Sequence, residues 1–183
     1  MIESQRLERP TIGLVVPCFN EEQALPFAVP ALVAELESMS AAGRISEESF
    51  VFLVDDGSVD NTWQLIQAYA EQGLPVAGLK LSRNFGHQHA LMAGLLEADA
   101  DYLVSLDADL QDDIGVLPEM LAAAAEGSEI VYAVRNDRTT DTRFKRWTAG
   151  LHYRLSEALG IETIRDDADF RLMSRRAIKL LRQ

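Results

Sequence analysis

Cysteine is almost missing from this chain: Cys18 is the only one in 183 residues. An internal disulfide and a thiolate metal cluster are both excluded, and a reducing compartment is compatible but not required. Basic residues are scarce as well, 17 Lys and Arg against 29 Asp and Glu, for a net charge of −12. That balance argues against a general nucleic-acid binder, because a phosphate backbone needs a basic surface. Long apolar runs are lacking too. No stretch free of Asp, Glu, Lys and Arg exceeds 13 residues, short of the roughly 18 that mark a bilayer span. The opening "MIESQRLERP" is polar and has no apolar centre of a secretory signal. Neither GxGxxG nor GxxxxGK(S/T) occurs. A diphosphate ligand would therefore need a metal and basic side chains in place of a glycine-rich loop.

What is present reads as one soluble α/β domain over residues 1–183. Hydrophobic residues make up 48% and charged residues 25%, which excludes disorder as the overall state and supplies a sizeable core. Apolar, β-branched runs at 11–16, 49–55, 75–81, 101–107 and 129–134 are continuous, as in strands buried on both faces. Helical patterns at 21–40, 60–72, 87–98 and 114–126 separate them. The alternation predicts a Rossmann-like, mostly parallel twisted sheet with right-handed crossovers and helices on both faces. Beyond 134, "RFKRWTAGLHYRLSEALG" predicts an amphipathic helix, "DADFRLM" a late strand, and "SRRAIKLLRQ" a helix capped by Ser174.

In such sheets ligands bind beyond the carboxyl ends of the strands. Those exits are rich in polar groups: "PCFNEE", "DDGSVDNT", "SRNFGH", "DADLQDD" and "RNDR". The fourth gathers Asp107, Asp109, Asp112 and Asp113 within seven residues. Two carboxylates about 4 Å apart repel by roughly 4 kcal/mol at a near-surface dielectric, so something must offset them. Asp112 and Asp113 are explained as helix caps. Asp107 and Asp109, two apart on an extended backbone, face one way and suit a hard divalent cation, Mg²⁺ or Mn²⁺; Gln111 falls on the same face as a neutral oxygen. Asp55 and Asp56 end the second strand, where a carboxylate accepts from a nucleobase N–H or a ribose hydroxyl; Ser58, Asp60 and Asn61 read as capping residues. Six basic residues between Arg135 and Arg154 oppose only Asp137 and Asp141. That segment suggests a phosphorylated partner. His87 and His89, at i and i+2, point to different helix faces and read as decoration of a helix start. Cys18 reads as a pocket wall, since no base is paired with it.

Together, "VVPCFNEE", "LVDDGSVDNT", "LSRNFGHQHALMAGL", "SLDADLQDD" and "DADFRLMSRRAI" resemble the family 2 glycosyltransferases of the GT-A fold over about residues 10–182. Within them, "DADLQD", "FKRWTAGLHYRL" and "DFRLMSR" look most like the polyprenyl-phosphate group, which includes dolichyl-phosphate mannosyltransferase and bactoprenol glucosyltransferase. The resemblance implies an enzyme, a hexosyltransferase of the cell envelope. It would move a sugar from UDP or GDP to a polyprenyl phosphate with inversion, using Mg²⁺ or Mn²⁺. Pro17, Phe19, Glu21, Asp55 and Asp56 would form the nucleotide pocket, with Asp107 near ribose or sugar. Asp109 and Gln111 would ligate the metal, and Arg135, Lys145 and Arg146 would meet phosphates. Asp169 takes the place of the family's late carboxylate, and with Asp107 it is the expected catalytic pair. Family members continue with an acceptor-side segment and often transmembrane helices. The chain therefore reads as a C-terminally truncated catalytic domain whose intact form works at the cytoplasmic face of a membrane. Two rival readings are transfer to a glycan or protein hydroxyl, and a non-catalytic nucleotide-sugar-binding protein. Whether the chain forms a homo-oligomer is left open.

Overall fold

A computed structural model describes residues 9–133 and 170–181. They form β1 (Ile12–Cys18), α1 (Leu25–Ala41), β2 (Phe50–Asp55), α2 (Thr62–Glu71), β3 (Val76–Lys80), α3 (His87–Glu97), β4 (Tyr102–Ser105), a 3-10 turn (Ile114–Val116), α4 (Leu117–Ala125), β5 (Ile130–Tyr132), β6 (Arg171–Ser174) and α5 (Arg175–Leu181). The strands make one sheet in the order β3-β2-β1-β4-β6-β5. β1 pairs in parallel with β2 and β4, and β2 with β3. The α/β class and its mostly parallel character match the sequence expectation.

The late strand β6 inserts between β4 and β5 and runs antiparallel to both. One expectation about the strands needs correction: β3 and β5 are not buried on both faces. They are the sheet's two edges, and Ile130 and Tyr132 of β5 stand 44% and 40% exposed. Continuous apolar runs therefore marked the central strands correctly, with β1 buried along its whole length, and misread the edges.

Helix α1 starts at Leu25, four residues later than the apolar pattern suggested. Asn20 sits in the left-handed region at φ 57°, which breaks the helical path before it. Helix α3 lies tight on the sheet. A Cβ on Gly94 would meet Val15 Cγ1 at 2.5 Å and Val54 Cγ2 at 2.7 Å, so only glycine permits that approach. The core on this face joins Val15, Phe52, Val54, Leu91, Leu95 and Leu103. Ser174 caps α5 as its sequence suggests, accepting from the Ala177 amide at 3.1 Å. Among the described residues, no helix is long and apolar enough to cross a membrane.

Candidate active site

The exits of β1, β2 and β4 and the start of α3 enclose a cavity of about 260 Å³. Pro17, Cys18, Phe19 and Glu21 supply one side, Asp56 and Asn84 another, and His87, Ala90, Asp107, Ala108 and Asp109 the rest. The fold thus gathers Pro17, Phe19, Glu21, Asp56, Asp107 and Asp109 around one space, although they are spread over 93 positions of sequence. Asp169, Arg135, Lys145 and Arg146 lie outside the described residues.

The β1 and β2 exits are laced together. The amides of Asn20, Glu21 and Glu22 donate in turn to Ser58 Oγ at 2.9 Å, Thr62 Oγ1 at 2.8 Å and Asp60 Oδ2 at 3.2 Å. The return bonds run from the Val59 amide to Asn20 Oδ1 at 3.0 Å and from the Asn61 amide to Glu22 Oε2 at 3.1 Å. Capping was the expected work of Ser58, Asp60 and Asn61. Bridging to a loop some forty residues away was not legible from local spacing.

Asp55 and Asp56 part company because successive strand residues point to opposite faces. Asp56 stands at the cavity wall, 2% exposed, and its oxygens accept from the Phe85 and Gly86 amides at 2.7 and 2.8 Å. It anchors the loop leading to α3. Gly57 completes that anchor: at φ +70° its missing Cβ leaves room for the Arg83 backbone, which a methyl would meet at 2.4 Å. Asp55 is fully buried and does not line the cavity. Its Oδ1 accepts from the Ser58 amide at 2.9 Å, and Oδ2 has no hydrogen-bond partner among the described residues. Of the two aspartates expected at a nucleotide, Asp56 lines the cavity and Asp55 does not.

Beyond β4 the backbone is a turn, not the extended strand that spacing implied. Leu110 takes φ 49°, and Gln111 turns back onto Asp109. Its side-chain N–H donates to Asp109 Oδ2 at 2.7 Å and its amide to Oδ1 at 3.2 Å. Gln111, expected on the face of the two acids, lies against Asp109 and does not line the cavity. Asp113 caps the 3-10 turn through the Gly115 amide at 3.0 Å, as its position suggested. His87 is the residue that the sequence reading set aside and the fold brings in: its Nε2 stands 3.7 Å from Asp107 Oδ1. The available signal was its place at the strand-three exit, masked by reading it as half of a pair with His89.

Electrostatics set this wall apart. Burial, then the charges of Asp109, Asp60 and Asp107, push the Glu21 carboxyl above its usual range. The Cys18 thiol is driven far up by burial and by Glu21 and Asp55, so it stays protonated and serves as wall, not nucleophile. Among the described residues, no three His, Cys, Asp or Glu side chains converge closely enough to enclose a metal. The crowded carboxylates nevertheless fit a hard divalent cation, which needs only one or two carboxylates when water and substrate phosphate complete its shell.

Residues 14–181 match the glycosyl transferase family 2 model. The chain belongs to glycosyl transferase family 2. Among curated members of the family, an uncharacterized glycosyltransferase, YkoT, of Bacillus subtilis (strain 168) is 46% identical over 175 residues, covering 94% of this chain and 52% of that protein. A prophage bactoprenol glucosyl transferase homolog of Escherichia coli (strain K12) is 40% identical over 169 residues, covering 92% and 53%. The chain thus spans about half the length of these relatives. A mannosyltransferase from Pyrobaculum calidifontis, solved with GDP-Man and Mn²⁺, superposes with a TM-score of 0.62 over 96% of this chain and 48% of its own, at 20% identity. That likeness establishes the GT-A type of fold.

Proposed function

We propose that this family 2 glycosyl transferase is the catalytic part of an inverting, metal-dependent enzyme. It moves a sugar from a UDP- or GDP-linked donor to a polyprenyl phosphate at a membrane surface. One observation carries the reading: a single cavity joins a wall suited to a nucleoside, Pro17, Phe19 and Asp56, to the carboxylates Glu21, Asp107 and Asp109. The acceptor class is supported by the bactoprenol named in the E. coli relative. The Mn²⁺ and GDP-Man of the Pyrobaculum enzyme support the donor and metal classes.

Roles follow from chemistry. Phe19, 44% exposed, offers a ring face to the base, and Asp56 lies where a base N–H would arrive. Asp107 accepts from a ribose or sugar hydroxyl. Asp109, held by Gln111, is the principal metal ligand, with Asp107 beside it; a bound Mg²⁺ or Mn²⁺ offsets charge on the diphosphate. In the transfer, the bond from C1 to the diphosphate oxygen breaks and its electron pair leaves with the nucleotide. An acceptor phosphate oxygen bonds C1 from the opposite face. That nucleophile is already an anion, so no strong base is required, and Asp169 is assigned to positioning sugar or acceptor. Arg135, Lys145 and Arg146 are assigned to the phosphates on the strength of the sequence resemblance.

The test has two parts. Thermal unfolding is followed with UDP- and GDP-sugars, with and without Mn²⁺. A ligand at about a hundredfold over its Kd adds roughly 2.7 kcal/mol, so one nucleotide should raise the midpoint in a metal-dependent way. Transfer of labelled sugar to a polyprenyl phosphate then identifies the acceptor. A midpoint indifferent to both nucleotides overturns the proposal, and transfer only to a hydroxyl acceptor overturns its second half.

A further inference from the structure

We infer that Thr62, which does not line the cavity, is a positioning residue for donor binding because its hydroxyl, oriented by Asp60, fixes the backbone of Glu21 at the cavity edge. The inference rests on the nucleotide-binding reading above. Glu21 faces the charges of Asp109, Asp60 and Asp107, and the place of its backbone limits how far the side chain can withdraw from them. That backbone is tied at two points. The Glu21 amide is tied to Thr62 Oγ1 at 2.8 Å, and the neighbouring Glu22 amide to Asp60 Oδ2 at 3.2 Å.

The direction of these bonds is fixed. A hydroxyl has one proton to give, and Thr62 donates it to Asp60 Oδ1 at 2.6 Å. Its lone pairs are left for the Glu21 N–H. Donation to a carboxylate also polarises the hydroxyl, which makes it a better acceptor. Helix capping explains part of the arrangement, since Asp60 Oδ1 also accepts from the Thr62 amide at 3.0 Å at the start of α2. Capping does not explain why a fully buried threonine spends its acceptor capacity on a residue 41 positions earlier. That bond sets where the backbone of a cavity residue stands.

The test is calorimetric titration of the chain with UDP and GDP in the presence of Mn²⁺. Thr62→Val keeps the shape and removes both hydroxyl bonds. It should weaken binding of whichever nucleotide the wild type takes by on the order of tenfold. Thr62→Ser should restore affinity to within about twofold, because the hydroxyl is what matters. Glu21→Gln and Thr62→Val together should bind no worse than the weaker single variant, since both act through one side chain. A wild-type affinity in Thr62→Val, or losses that add fully, overturns the inference. Hydrogen exchange separates positioning from general damage: the amides of residues 20–22 should exchange faster in Thr62→Val while those of β1 and β2 keep their protection. Loss of protection throughout the sheet also overturns it. If the wild type binds neither nucleotide, the functional reading falls, and the exchange result alone still decides whether Thr62 holds the loop.

Discussion

The wall built from the β1 and β2 exits and the wall built from the β4 exit face the same cavity with opposite polar economies. In the first, a carboxylate ties distant segments together: Asp56 takes two amides of the loop before α3, and behind the wall Asp60 takes the Thr62 and Glu22 amides. In the second, Asp109 is bonded only within its own loop, through Gln111, while its charge presses on Glu21. The lesson is that an aspartate's worth cannot be read from its charge alone. One wall spends its carboxylate on long-range bridging; the other braces it locally, facing the cavity.

That contrast can be broken most forcefully at Asp109. Asp109→Asn keeps the bulk and removes the charge, and sugar transfer under saturating donor should fall by about 10²–10³, the scale for losing one group that stabilises developing charge. The ligand-free unfolding midpoint should stay level or rise, because a repelling carboxylate is gone. Full activity in this variant would falsify the division of labour between the walls.

Gly57→Ala attacks the other wall through the backbone. A methyl at φ +70° would run into Arg83 at 2.4 Å, and urea unfolding should report a loss of about 2–4 kcal/mol. Asp56→Asn is milder but more telling. Its amide would present a donor to one of the two N–H groups that the carboxylate accepts, costing about 1–3 kcal/mol. The same chemical change should therefore lower stability at 56 and spare it at 109; equal effects at both positions would erase the comparison.

The smallest effect concerns acid. Burial pushes Asp60 upward, but hydrogen bonds from Thr62 and from the Glu22 amide outweigh it and leave the carboxyl below its ordinary value of 3.8. A depressed folded-state value means that the unfolded chain binds the proton more readily. The stabilisation is complete above the ordinary value and fades as pH falls through the lower, folded one. Urea midpoints between about pH 5 and about pH 3 should thus decline less steeply in Asp60→Asn than in the wild type. Parallel declines would show that the Asp60 bonds contribute nothing measurable.

Much of the fold was legible because the central strands announce themselves: β1, β2 and β4 are apolar runs followed at once by polar exits. The cavity was legible for the same reason, since an open parallel sheet sends those exits to one end. Residue parity was available and underused. It separates Asp55 from Asp56 without any structure. Other features depend on pairings that local spacing does not encode. The lacing of 20–22 to 58–62 links residues about forty positions apart, and it moves the start of α1. The left-handed Leu110 replaces the assumed extended backbone with a turn, and it is through that turn that Gln111 meets Asp109. The reversal of β6 follows from where an edge strand finds a partner, which a list of apolar runs does not contain.

The antiparallel insertion of β6 has a consequence for how this architecture diversifies. Tyr132 and Arg171 are paired across β5 and β6, and Arg171 is also paired with Ser105 of β4. Tyr132 and Ser105 therefore flank Arg171 on one rung, at the end of the sheet where β4 leads toward the cavity. Lengthening a connection whose two ends are already fixed costs only about 0.6 kcal/mol per doubling of its length. The number of residues between Tyr132 and Arg171 can accordingly differ between relatives while the ladder keeps its register.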